Sequence, residues 1–173
     1  MVTLASAILA VMLALPQWHL DSHETVDERA LLLAPVASVI ATESGGDLQL
    51  AAAMIANAHH ESASFARAVL EGRCDEMPAG VQCDHGRARG AWQVWRVFCP
   101  AAYAHPAGSL ESLRAEGACV ARGLRGGRLR CGSWEGAFAG LGGGARCSSP
   151  TAARKAMAQR SAVYALHQRR REE

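Results

Sequence analysis

His59-His60-Glu61-Ser62 and, further on, Asp84-His85-Gly86-Arg87-Ala88-Arg89-Gly90-Ala91-Trp92-Gln93 bound the stretch that decides how this chain is read. The first segment closes the run Asp47-Leu48-Gln49-Leu50-Ala51-Ala52-Ala53-Met54-Ile55-Ala56-Asn57-Ala58, which is rich in helix formers and opens on Asp47, a good N-cap. A helix ending near Glu61 follows. Three and seven residues before Glu61 stand Ala58 and Met54, and four after it stands Phe65, so the carboxyl shares a side with apolar residues and points into the body of the protein.

An acid in such a place is expected to hold its proton more tightly than in water, because low polarity and the negative end of its own helix both disfavour the anion. That suits a general acid. A capping or ion-paired glutamate at a helix end fits the same residues equally well.

Glu61-Ser62 after an Ala-rich helix, followed by Arg89-Gly90-Ala91-Trp92-Gln93-Val94, resembles the motif pair of lytic transglycosylases and goose-type lysozymes, a catalytic Glu-Ser and then Gly-Leu-Met-Gln. The resemblance covers roughly residues 47–141. It implies the all-α, lysozyme-like fold and cleavage of the β-1,4 bond between N-acetylmuramic acid and N-acetylglucosamine in peptidoglycan glycan strands. Glu61 takes the position of the catalytic acid and Gln93 that of the cleft-lining glutamine, with Gly90 and Trp92 beside it. The usual Ala-Tyr-Asn-Ala-Gly of transglycosylases has its nearest match in Gly136-Ala137-Phe138-Ala139-Gly140, which lacks the hydroxyl and the amide.

The second acid decides the chemistry. Hydrolases of this kind use two carboxylates, whereas transglycosylases use one, because the sugar's own hydroxyl closes an anhydro ring. Asp84, in an Asp-His-Gly that resembles the goose-type segment, either positions water or forms a turn. Glu135 is a reserve. Trp134 and Phe138 either stack on a sugar or pack in the core. A chitin-cleaving enzyme and a non-catalytic wall-binding module of the same fold are the alternatives.

The remaining chain reads as scaffold. Its 173 residues suit one domain, with an N-terminal helical pair or partial leader over 1–46 and a catalytic core over 47–173. The net charge of +2 is too small to argue for nucleic acid. Val2 to Leu15 is an uncharged apolar run, too short to span a bilayer as a straight helix, that suits a core helix, an export signal or a membrane anchor. Thr25-Val26-Asp27-Glu28 fits a capping box opening a second helix, in which Pro35 predicts a kink.

His19, Asp21, His23 and Glu24 fall short of a metal set, and no metal or organic cofactor is implied. Six cysteines without a Cys-x-x-Cys pair predict three disulfides and an oxidising destination, periplasmic or extracellular or phage-delivered, with Cys74 and Cys83 paired around a turn. A monomer is expected.

Beyond residue 100, a helix near Leu110-Glu111-Ser112-Leu113-Arg114 is predicted to give way to a glycine-rich, arginine-bearing loop, which solvates or helps to hold an anionic wall polymer. A short helix follows from Ser133. Ser149-Pro150-Thr151 opens the last helix, whose apolar stripe is read as Ala153, Met157, Val163, Tyr164 and Leu166.

Overall fold

A computed structural model of the protein describes residues 3–16, 24–74, 83, 87–141 and 146–171. Its helices are α1 (Leu4–Ala14), α2 (Val26–Ser44), α3 (Leu48–Glu61), α4 (Arg67–Leu70), α5 (Leu110–Cys131), α6 (Trp134–Leu141) and α7 (Pro150–Arg169). A two-stranded antiparallel hairpin, β1 (Ala88–Arg89) with β2 (Val94–Trp95), and a 3₁₀ turn (Pro100–Ala104) lie between α4 and α5. The fold is all-α and carries three disulfides.

Helix α3 is the axis of the molecule. Every residue from Leu50 to Ala58 is buried, and α1, α2, α5 and α7 all pack against it. A helix apolar on all sides is stable only with neighbours all round it. Its start is fixed by Asp47, whose Oδ1 accepts from the N–H of Gln49 at 2.8 Å and of Leu50 at 3.2 Å.

Local sequence chemistry sets the other boundaries. Thr25 and Glu28 form the expected reciprocal capping box, and Gly45 ends α2 in a left-handed conformation. Pro35 sits on the exposed side of an α2 that continues through it. Ser149 caps α7, with Pro150 at the first helical position. The N-terminal apolar run forms α1, which buries Ala7, Ile8, Val11 and Met12 in the core. No helix among the described residues is long and apolar enough to cross a membrane.

Two expectations need correction. The glycine-rich stretch after Arg114 is no loop, because α5 continues for 22 residues to Cys131. Its glycines serve close approach: a Cβ on Gly127 would lie 2.8 Å from Ala137 Cα of α6, and one on Gly117 would collide with Val39 of α2. The intrinsic cost of glycine in a helix, about 1 kcal/mol each, is offset by packing that a larger residue would prevent.

The buried face of α7 was also misread. Met157 and Tyr164 are 63% and 66% exposed, while Ala152, Lys155, Ala156, Gln159, Ala162 and Leu166 face inward. Gln159 is buried because its Nε2 donates to Gln49 Oε1 of α3 at 2.8 Å.

All six cysteines are paired, as Cys74 with Cys83, Cys99 with Cys119 and Cys131 with Cys147. Their Cα separations of 5.5, 5.9 and 5.5 Å are ordinary for disulfides. The first pair is the one expected around the turn, and the other two tie α5 to the segments on either side of it.

Candidate active site

Glu61 is the last residue of α3, and the backbone turns sharply behind it. Ala63, Ser64 and Phe65 have φ of 51°, 62° and 62°, three successive non-glycine residues in the left-handed region. Such a conformation costs about 1 to 2 kcal/mol per residue. Several bonds hold it in place. Ser62 Oγ donates to Ala58 O and accepts from the N–H of Phe65, and the N–H of Ser64 donates to His59 O.

From outside, Arg29 Nη2 donates to Ser64 O at 3.1 Å. Glu24 accepts from Arg67 Nη2 at 2.6 Å, and its other oxygen lies 3.5 Å from Arg29. Phe65 is fully buried and meets the ring of His59 edge to face.

The second motif forms the four-residue turn of the hairpin. Gly90 has φ +73° and Gln93 φ +48°, and both the backbone N–H and the side-chain amide of Gln93 donate to Gly90 O. Among the described residues, the non-glycine residues with positive φ are Ala63, Ser64 and Phe65, directly after the first motif, and Gln93, which ends the second. Backbone strain of this kind concentrates where function over-determines local geometry.

The two motifs meet on α3. Trp92 Nε1 donates to Met54 O at 3.0 Å, and Met54 stands two helical turns before Glu61 on the same side of the helix. Trp92 is buried, so its ring anchors the turn instead of offering a face to a ligand. The Tyr103 hydroxyl lies 2.7 Å from Arg87 O and 2.8 Å from Val94 O, clamping both strands of the hairpin. Phe138 lies in the core, and the Arg128 guanidinium covers the Trp134 ring 4.5 Å from its centre. Asp84, and with it His19, Asp21 and His23, lie outside the described residues.

Glu61 is ion-paired. Lys155 of α7 places its ammonium against Glu61 Oε1 and donates to Asn57 Oδ1 at 2.8 Å. The pair is lopsided, with the lysine side chain 6% exposed and the glutamate side chain 32% exposed. Of the two readings open for Glu61, an apolar seat or an ion pair, the structure contains the pair.

The pair adds a residue that sequence reading passed over. Lys155 sits in the polar-looking stretch Arg154-Lys155-Ala156, where only its spacing from Ala152 and Gln159 betrays an inward position. His60, beside the pair, is pushed below the ordinary histidine range by burial and then by Lys155.

A second buried acid was also missed. Glu116 of α5 is 1% exposed, seated beneath the 90–93 turn, where a Cβ on Gly90 would collide with its carboxyl. Burial pushes that carboxyl up to about 7, against the opposing pull of the Ser112 hydroxyl and the nearby Ala91 N–H.

Among the described residues, no three His, Cys, Asp or Glu side chains cluster so as to hold a metal ion. A groove of about 480 Å³ runs between α2 and the start of α5, lined by Leu31, Ala34, Pro35, Ser38, Leu110 and Arg114 among others, and none of the site residues read from the sequence lines it.

Comparison of the chain with profiles of known protein families, with curated proteins and with solved structures finds no match in any of the three.

Proposed function

We propose that this protein is an exported glycosidase that cleaves peptidoglycan glycan strands at the N-acetylmuramic acid to N-acetylglucosamine β-1,4 bond, with Glu61 as general acid. The observation that carries this reading is the closeness of strain to motif: the left-handed non-glycine residues are Ala63, Ser64 and Phe65, directly behind Glu61-Ser62, and Gln93, in two segments far apart in sequence, one following α3 and the other anchored to it through Trp92. Three disulfides agree with an oxidising destination.

In this reading the paired Glu61 takes up a proton on Oε2, while Lys155 keeps its hydrogen bond to Oε1, and passes that proton to the leaving glycosidic oxygen. Lys155 then faces the anion that forms as the proton leaves, so it stabilises the transition state more than the ground state. The sugar cation is closed either by the sugar's own hydroxyl, leaving an anhydro end, or by water, leaving a reducing end and giving Asp84 a role. Gln93 is assigned to hold the sugar beside the cut bond.

A second reading, a wall-binding module without catalysis, draws on the same ion pair taken as purely structural and on the absent Tyr-Asn pair at 136–140. Mass spectrometry of peptidoglycan incubated with the purified protein separates the two. Muropeptides with anhydro or reducing ends support the glycosidase and name its type; binding to the sacculus with no muropeptide released supports the module.

A further inference from the structure

The Gly90-Ala91-Trp92-Gln93 turn holds its shape against an unfavourable backbone angle at Gln93, and the hairpin around it pairs only two residues on each side. Something beneath the turn must hold it. The group there is the carboxyl of Glu116, which fills the space that a side chain at position 90 would need.

A single hydroxyl proton faces two acceptors beside this carboxyl. Ser112 Oγ lies 3.1 Å from Ala102 O and 3.1 Å from Glu116 Oε1. A serine hydroxyl has one proton, and a backbone carbonyl can only accept. The hydroxyl can serve Ala102 O or an anionic Glu116 but not both, whereas a carboxyl that keeps its own proton donates to the hydroxyl and makes both contacts hydrogen bonds. Glu116 Oε2 is buried and has no hydrogen-bond partner, a position in which a bare anionic oxygen would be costly.

We propose that Glu116 is the positioning residue of the 90–93 turn, and that its neutral carboxylic acid, packed beneath Gly90 and hydrogen-bonded to Ser112, holds the geometry that presents Gln93 to the glycan. The last clause rests on the glycosidase reading; the hold on the turn does not. Ionisation removes the proton that links Glu116 to Ser112 and places a charge under the turn.

The surroundings offer that charge little relief. Arg89 of β1 acts on it from a distance but is engaged with His105 O at 2.9 Å and with the Tyr103 ring at 3.8 Å. From α2, the aliphatic part of Glu43 approaches the neighbouring Gly117, and among the described residues no cation comes from that side. The elevated titration of Glu116, near 7, agrees with this arrangement.

The test follows the Ala91 and Gln93 backbone amides of the full chain by ¹H–¹⁵N NMR from pH 5 to 9, alongside muropeptide release. The wild-type amides are expected to titrate with a midpoint near 7. E116Q, which keeps both a donor and an acceptor, abolishes that titration and leaves any contribution from His105 in place.

Between pH 6 and pH 8 wild-type release falls about tenfold more than E116Q release, as one ionisation near 7 requires, because the dependence on Glu61 is common to both proteins. Wild-type amides that do not titrate overturn the proposal without need of a variant, as does an unchanged titration in E116Q. Amides that behave as expected beside an activity profile identical in the two proteins overturn the role towards Gln93. A protein that releases nothing at any pH defeats the glycosidase reading instead, and the amides alone then decide whether Glu116 sets the turn.

Discussion

The ammonium of Lys155, on the last helix, is shared between Asn57 and Glu61, one turn apart on the central helix. Its side chain is almost fully covered, whereas the carboxylate it meets is one-third exposed. Loss of either partner therefore has unequal consequences.

Glu61→Gln strands a buried ammonium with only neutral acceptors and is expected to destabilise by about 2 to 3 kcal/mol. Lys155→Met leaves a carboxylate that water can reach and costs about 1 kcal/mol. Urea unfolding of the two variants and of the double variant checks the order; a larger cost for Lys155→Met would contradict it.

Glu116 makes stability depend on pH in an unusual direction for a carboxyl. Its folded value of about 7 lies above the ordinary 4.5, so the folded state binds the proton more tightly than the unfolded chain. Its contribution is fully present below pH 4.5 and is lost as pH rises through 7, amounting to about 3 kcal/mol by pH 8. Urea midpoints measured at pH 4.5 and pH 8 should show this decline in the wild type, and Glu116→Gln should flatten it.

Gly90 answers to the same carboxyl. Gly90→Ala meets both a φ of +73° and the Glu116 side chain, and should cost about 3 kcal/mol or more. In a Glu116→Ala background the collision is gone and only the left-handed strain, about 1 kcal/mol, remains. Thermal or urea unfolding of the four proteins gives the coupling; additive effects would mean that the carboxyl does not occupy the space under the turn.

The strain behind Glu61 predicts a trade between stability and activity. Ala63→Gly should relieve the left-handed backbone and stabilise the fold by about 1 kcal/mol, while loosening the turn that fixes the acid and lowering glycan cleavage. A variant with reduced stability would show that position 63 is not strained.

Much of the frame was legible because it rests on local chemistry. The Thr25 capping box and the Asp47 and Ser149 caps each depend on a few adjacent residues, and each is present in the structure. Pairing of Cys74 with Cys83 followed from the short turn between them. What escaped was set by tertiary partners.

Gly117 and Gly127 look like loop residues until α2 and α6 press against them. Lys155 and Gln159 look like surface residues until Asn57, Glu61 and Gln49 supply their partners across the core. Glu116 stands in an ordinary helical sequence, and nothing near it in the chain announces that Ala91 and Ser112 will enclose it. Buried polar groups are legible only when their partners are, and these partners lie far away in the chain.

The central claim is that Glu61 gives up a proton to a glycosidic oxygen. Its most direct measure is the rate of muropeptide release from purified peptidoglycan at pH 6 by the wild type and by Glu61→Gln, with both proteins shown to be folded. Loss of a general acid should slow release by a factor of about 10² to 10⁴. Equal rates, whether both appreciable or both negligible, would contradict the account.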